Sequence, residues 1–184
     1  LLGDWRNLPL EDSSCDVVLG DGCFTLLDYP VSYHQVLQEI KRILKPKGLF
    51  SMRFFLSPTS PEHVSSIFKK LEAGNISSFH LFKWRLAMAL QKSTREGIAV
   101  SSIYQAWKQN IAQPEKLLEK LGWSIDLLET INIYEKSPSI YTFPTLGEIK
   151  EIFADFFVEL SCYFPTYQSG ELFPTMIFKK SHLS

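Results

Sequence analysis

The sequence predicts an α/β protein, and three observations carry that prediction. Cys15 to Leu19 is a short apolar run closed by the turn formers Gly20, Asp21 and Gly22, and Leu49 to Phe55 is a second run of strand length. Between them Tyr33, Val36, Leu37, Ile40, Ile43 and Leu44 recur on one helical face. Near the C-terminus a helical pattern is followed by two further strand-like runs. Strand, helix and strand in that order make a βαβ unit, whose crossover is right-handed and whose ligands sit outside the strands' carboxyl ends. Those ends are Gly20 to Cys23 and Arg53 to Phe55.

Each element has a local reason. Ser32 with Gln35 three positions on reads as a capping box opening the first helix, and Pro46 and Gly48 stop it. Ser57 to Pro61 is a turn-rich linker, after which Pro61 opens a helix carrying Val64, Ile67, Phe68 and Leu71 on one face, ended by Gly74. Ser77 to Gln91 is apolar on almost every side except Lys83 and Arg85, so that helix is buried or lines something. Val100, Ile103, Tyr104, Trp107 and Ile111 predict a third helix of this region. Pro114 to Gly122 predicts a fourth, and Ser124 to Glu135 a fifth. Thr145 and Glu148 form a capping box for the last helix, with Leu146, Ile149, Ile152, Phe153 and Phe156 as its core stripe. Val158, Leu160, Cys162 and Phe164 alternate with polar residues as a half-buried strand. Phe173 to Lys179 follows as the last strand, and Lys180 to Ser184 reads as a frayed tail. The domains expected are a core of 1-56 and 144-184 and a helical insertion of 57-143.

Composition excludes several function classes. With 45% hydrophobic and 14% aromatic residues the chain is too apolar for disorder. A net charge of −1, with acids and bases interspersed, gives no field to recruit nucleic acid or an anionic membrane. No apolar run approaches the roughly 20 residues that span a bilayer. Three cysteines without a C-x-x-C pair argue against a disulfide scaffold and for a reducing cytoplasm, and no metal site is legible. Cys23 lacks the His/Asn partners of a nucleophile. A small organic ligand is the expected partner.

Three stretches in order carry a resemblance. Asp4-Trp5 followed by Leu8-Pro9, then Asp16-Val17-Val18 with Leu26-Leu27, then Glu39 to Gly48 (Glu-Ile-Lys-Arg-Ile-Leu-Lys-Pro-Lys-Gly) are similar to successive motifs of class I S-adenosylmethionine-dependent methyltransferases. In the third of them Lys47 replaces a Gly. The resemblance covers about the first third of the chain, with a fainter echo in the last forty or so residues. It implies a partial, doubly wound Rossmann-like methyltransferase sheet whose last strand pair is antiparallel. It also implies S-adenosylmethionine as cofactor and SN2 methyl transfer to a small organic acceptor. By that resemblance Asp4 accepts from the adenine amino group and the Trp5 backbone meets the ring edge. Asp21 and Gly22 border the methionine end, where Asp21 accepts from the cofactor's amino group or the acceptor's nucleophile, or simply caps the turn.

Other residues are candidates on their own chemistry. His34, in the first turn of the helix, has a pKa suited to a general base, or is a solvated surface histidine. Arg53 interrupts an apolar strand near its carboxyl end, where a cation must find a partner: an acceptor carboxylate or phosphate, or Asp21. The aromatics of 57-143 form either that region's own core or a lid over the acceptor, Tyr104 and Trp107 being the candidates for substrate contact.

The resembled family's glycine-rich loop is absent: no G-x-G-x-x-G exists, and the nearest cluster, Gly20-x-Gly22, lies elsewhere in the pattern. The chain also opens at Leu1, inside the first of the three motifs. The expectation is therefore the C-terminal portion of a larger methyltransferase, inactive by itself. Its Cys15 to Leu19 strand would then become an open edge, prone to pair with a second copy. Two readings stand against this one: a non-catalytic methyltransferase-like interaction module, and a different βαβ nucleotide-binding enzyme such as a dehydrogenase. Lys45 to Gly48 and Leu8-Pro9 speak against the latter.

Overall fold

The computed structural model describes residues 3–181; the predicted tail beyond Ser181 lies outside the described residues. The chain divides into two compact units: one built from the residues up to Ser57 and those from Thr142 onward, the other from Pro58–Tyr141.

The first unit is a four-stranded mixed sheet. Its strands are β1 (Cys15–Asp21), β2 (Leu44–Arg53), β5 (Phe157–Tyr163) and β6 (Thr175–Lys180), in the spatial order β1-β2-β6-β5. β1 and β2 run parallel, joined by α1 (Val31–Ile43), while β6 is antiparallel to both its neighbours. This is the mixed, Rossmann-like α/β sheet the sequence predicts. One face packs α1 and α7 (Leu146–Ala154) over a core of Phe24, Tyr33, Phe50, Phe54, Phe153 and Phe178, all 3% exposed or less. The rings meet mostly edge-on or tilted, as in Phe24–Tyr33 at 4.8 Å and Phe153–Phe178 at 4.8 Å between centroids. The opposite face is uncovered among the described residues: Val17 and Leu19 of β1 are 53% and 76% exposed, and Val158 and Leu160 of β5 are exposed too. Of the alternation read along β5, Cys162 packs against the core as expected while Val158 and Leu160 do not, because a register shift between Glu159 and Ser161 changes which residues face the core.

Several boundaries differ from the sequence reading. Ser32 is no cap: it lies inside α1, buried, because its N–H already donates to the Asp28 carbonyl at 2.9 Å. β2 begins at Leu44 and runs through Pro46 and Gly48, since β1 shifts register between Cys15 and Val17 and so accommodates the extra residues. Phe54 and Phe55 fall just beyond the strand. The Thr145–Glu148 capping box is present in full, with Glu148 N–H donating to Thr145 Oγ1 at 3.2 Å and Thr145 N–H donating to Glu148 Oε2 at 2.7 Å. Lys180 and Ser181 are ordered: Lys180 closes β6 and its Nζ donates to the Leu44 carbonyl, and Ser181 is buried. Ser57 N–H donates to the Pro144 carbonyl at 3.0 Å, so the chain leaves this unit and re-enters it at neighbouring points.

The loop between β5 and β6 turns at Gly170, where an added Cβ would lie 2.0 Å from the Pro165 carbonyl oxygen. Backbone cannot step aside as a flexible side chain does. Gly170→Ala is expected to destabilise this unit by about 1–3 kcal/mol, read as a lower denaturant midpoint at unchanged m-value.

The second unit is helical: α2 (Val64–Glu72), α3 (Phe79–Leu90), α4 (Val100–Asn110), α5 (Pro114–Lys120) and α6 (Glu129–Asn132), preceded by a 3-10 turn at Ile125–Leu128. The sequence misses a two-residue antiparallel pair, β3 (Ile98–Ala99) with β4 (Ile140–Tyr141), too short to show a period. Pro61 stands outside α2, whose N-cap is His63. Phe79 and Phe82 stack at 5.8 Å between centroids, and Trp107 meets both of them edge-on. Lys83, only 5% exposed, donates from Nζ to the Thr130 carbonyl and hydroxyl at 2.8 and 2.9 Å and lies 5.0 Å over the Tyr134 ring.

Candidate functional site

The segment before β1 is held by a polar clasp. Glu39 and Arg42 lie three residues apart on α1, and the guanidinium grips both carboxylate oxygens (Nε–Oε2 2.9 Å, Nη2–Oε1 2.6 Å). The rest of each group is spent on the segment. Leu8 N–H donates to Glu39 Oε1 at 2.6 Å, and Arg42 donates to the carbonyls of Leu10 and Leu8 and to Asp12 Oδ1 at 2.7, 3.1 and 2.7 Å. Hydrogen bonds from Arg42 hold the Glu39 carboxyl below its usual range. The Glu-x-x-Arg spacing fixes the Leu-Pro segment, and with it the turn carrying Asp4 and Trp5. The sequence reading passed over this role; the signal was the i, i+3 acid–arginine pair facing a run of unpaired loop carbonyls.

Asp4 accepts from Arg6 through the backbone N–H (2.9 Å), Nε (2.9 Å) and Nη2 (2.6 Å). The Arg6 side chain, then its backbone N–H, hold the carboxyl down at about 2. Arg6 Nε also reaches Oδ2 at 3.2 Å, so Arg6 alone covers both oxygens of this half-exposed carboxylate.

At the end of β1 the chain turns through Gly22, whose φ of 63° favours glycine and whose N–H donates to the Arg53 carbonyl at 2.8 Å. Asp21 and Arg53 are register partners on β1 and β2 and form a bidentate pair (Nε–Oδ1 2.6 Å, Nη2–Oδ2 2.9 Å), which raises the Arg53 pKa. Of the partners the sequence allows for Arg53, Asp21 is the one present.

Trp5 and Asp21 line one cavity of about 280 Å³, together with Leu8, Gly20, Cys23 and Met52. Its walls are mostly apolar. Asp4 and Trp5 also border a shallower hollow with Leu26, Asp28 and Ser32. Trp5 therefore stands between the two, and the structure brings Asp4, Trp5, Asp21 and Gly22 into one region at the carboxyl end of β1. His34 is occupied elsewhere: its Nδ1 lies 2.9 Å from the Pro30 carbonyl and its ring meets Phe156 edge-on. Cys23, half-buried with its pKa raised by burial, has Met52 Sδ at 3.8 Å. In the helical unit Trp107 is buried against Phe79 and Phe82, and Tyr104 carries Lys108 Nζ 5.7 Å over its ring. Among the described residues no group of three or more His, Cys, Asp or Glu is placed to hold a metal.

Residues 1–52 match a family model described as a methyltransferase domain, a span that contains the clasp, the Asp4–Trp5 turn and most of the parallel pair. That segment is similar to a methyltransferase domain. The fold of the chain is similar to that of a protein from Pyrococcus horikoshii OT3, at a TM-score of 0.50 and 14% identity, covering 98% of this chain and 58% of that one. An S-adenosylmethionine-dependent methyltransferase from Methanosarcina mazei is similar at a TM-score of 0.48 and 15% identity, covering 97% of this chain and 65% of that one. A geranyl diphosphate C-methyltransferase from Streptomyces coelicolor A3(2), solved with Mg2+, geranyl diphosphate and S-adenosyl-L-homocysteine, gives a TM-score of 0.45 at 8% identity, with 98% and 54% coverage. This chain thus spans less than two thirds of the length of each. No curated protein sequence matches it.

Proposed function

We propose that this chain is part of an S-adenosylmethionine-dependent methyltransferase acting on a small organic acceptor. The observation that carries the reading is the single cavity lined by both Trp5 and Asp21 at the carboxyl end of a parallel strand pair. Its apolar walls suit a flat heteroaromatic ring. Asp4, in an exposed ion pair, can exchange a contact with Arg6 for one with an exocyclic amine, so these residues fit the adenosyl part of the cofactor. S-adenosylmethionine, when bound, supplies an electrophilic methyl carbon for SN2 displacement. The chain's own part is positioning: the Glu39–Arg42 clasp fixes the Asp4–Trp5 turn, and the apolar lining keeps water from the ring.

The 184 residues contain no glycine-rich loop, and the reading includes that they transfer no methyl group by themselves. It also includes association of a second chain through the uncovered edge of β1, where Val17 and Leu19 are exposed. The three cysteines are free thiols, which suits a reducing cytoplasm. Among the described residues no helix is long and apolar enough to cross a membrane.

The test is calorimetric titration of the full-length protein with S-adenosylhomocysteine. Trp5→Ala is expected to weaken binding by about tenfold or more, the scale of one lost aromatic–base contact. Wild-type affinity in this variant would place the ring elsewhere.

A further inference from the structure

We propose that the Asp21–Arg53 pair is an exchangeable ion pair that receives an ammonium-carboxylate zwitterion, an amino-acid-like group, by swapping partners. The inference rests on the reading of the β1 and β2 ends as the ligand-facing side of the methyltransferase domain. The pair is accessible, with 65% of the Asp21 side chain and 40% of Arg53 exposed. Exposed pairs of this kind add little to stability, so the fold does not depend on keeping it closed.

The cation is held ready. Its guanidinium lies 5.5 Å over the Phe55 ring, which is itself met edge-on by Phe173 at 5.0 Å. The Phe55 ring also closes on bare Gly22, where an added Cβ would come within 3.0 Å of it. The Tyr167 hydroxyl contributes to the field at Arg53. Arg53 thus keeps its place when Asp21 lets go.

Charge balance then selects the ligand. A plain carboxylate docking on Arg53 would strand Asp21 beside a second negative charge, and a plain amine docking on Asp21 would strand Arg53. A zwitterion satisfies both: its carboxylate takes the guanidinium fork, its ammonium takes the Asp21 carboxylate, and the net charge never changes. Such a group belongs to an amino-acid-like methyl acceptor.

The experiment uses the full-length protein, titrated with glycine, β-alanine, γ-aminobutyrate, acetate and methylamine, each with and without S-adenosylhomocysteine. At least one zwitterion is expected to bind, and Arg53→Gln and Asp21→Asn are each expected to weaken it by about tenfold or more. Acetate is expected to bind Asp21→Asn at least tenfold better than wild type, a gain that a merely structural pair would not produce. Zwitterion binding is expected to persist alongside S-adenosylhomocysteine; competition between them would overturn the acceptor assignment. The proposal is overturned if both variants bind every probe as wild type does, or if wild type binds acetate as tightly as any zwitterion. Zwitterion binding without S-adenosylhomocysteine binding would sink the methyltransferase reading and leave the pair's role standing. Binding of S-adenosylhomocysteine that ignores both substitutions, with no zwitterion bound, would do the reverse.

Discussion

On the proposed methyltransferase function, Arg42→Ala is expected to lower kcat/KM of the full-length protein by about 100-fold, almost all of it through the KM for S-adenosylmethionine. The guanidinium holds Glu39, Asp12 and the carbonyls of Leu8 and Leu10 at once. Without it the Leu8–Asp12 segment loses three anchors, and the Asp4–Trp5 turn at its head is no longer held to a fraction of an ångström. Glu39 is left a nearly buried carboxylate with only the Leu8 N–H as donor, which favours its protonation and loosens the segment further. Arg42→Lys is not expected to rescue, because one ammonium has three donors on a single point and cannot span four acceptor groups. Initial rates at varied cofactor concentration decide the matter. A variant with unchanged cofactor KM and lowered kcat would mean that the clasp serves something other than the turn.

The second large effect is on stability and concerns Lys83. Burial alone drives its pKa from the ordinary 10.5 down to about 8, and the ring and hydroxyl groups around it include no carboxylate. His80 on the same helix is itself lowered, by burial first and then by Lys83, while Tyr134 on the segment after α6 is raised by burial. Between about pH 8 and 10 the unfolded chain binds a proton at this position that the folded chain does not. The slope of unfolding free energy with pH is therefore positive, and the helical unit should become more stable across that window. Below pH 8 the penalty of the buried charge is constant, and above about pH 10 the raised Tyr134 works the other way. Lys83→Met fills similar volume without the charge and is expected to stabilise the protein at pH 7 by about 1–3 kcal/mol and to flatten the rise between pH 8 and 10. Denaturant unfolding followed by fluorescence reads this directly, since Trp84, Trp107 and Trp123 lie in the helical unit. A destabilised methionine variant would show that the Thr130 bonds and the cation–π contacts outweigh the desolvation.

What the sequence shows clearly is whatever depends on near neighbours. The Thr145–Glu148 box, the apolar face of α1 and the parallel β1–β2 pair all follow from patterns a few residues long. What it hides depends on partners far along the chain. Ser32 has a cap signature, yet the Asp28 carbonyl takes its N–H. Val158 and Leu160 alternate as core residues do, yet a register shift against β6 turns them outward. The candidate site divides in the same way. Asp21 and Arg53 were legible as possible partners because each was a charge in an apolar setting. The Glu39–Arg42 clasp was not, because the groups it binds are main-chain atoms that no residue name announces.

The Ser57–Pro144 hydrogen bond has a consequence for lineage rather than chemistry. Pro58–Tyr141 is a compact unit of its own, and the chain leaves and rejoins the sheet unit at neighbouring points, so that stretch is free to grow, shrink or be exchanged while the strands keep their alignment. Descendants of one ancestral sheet can therefore differ in that appendage far more than in anything else they inherit.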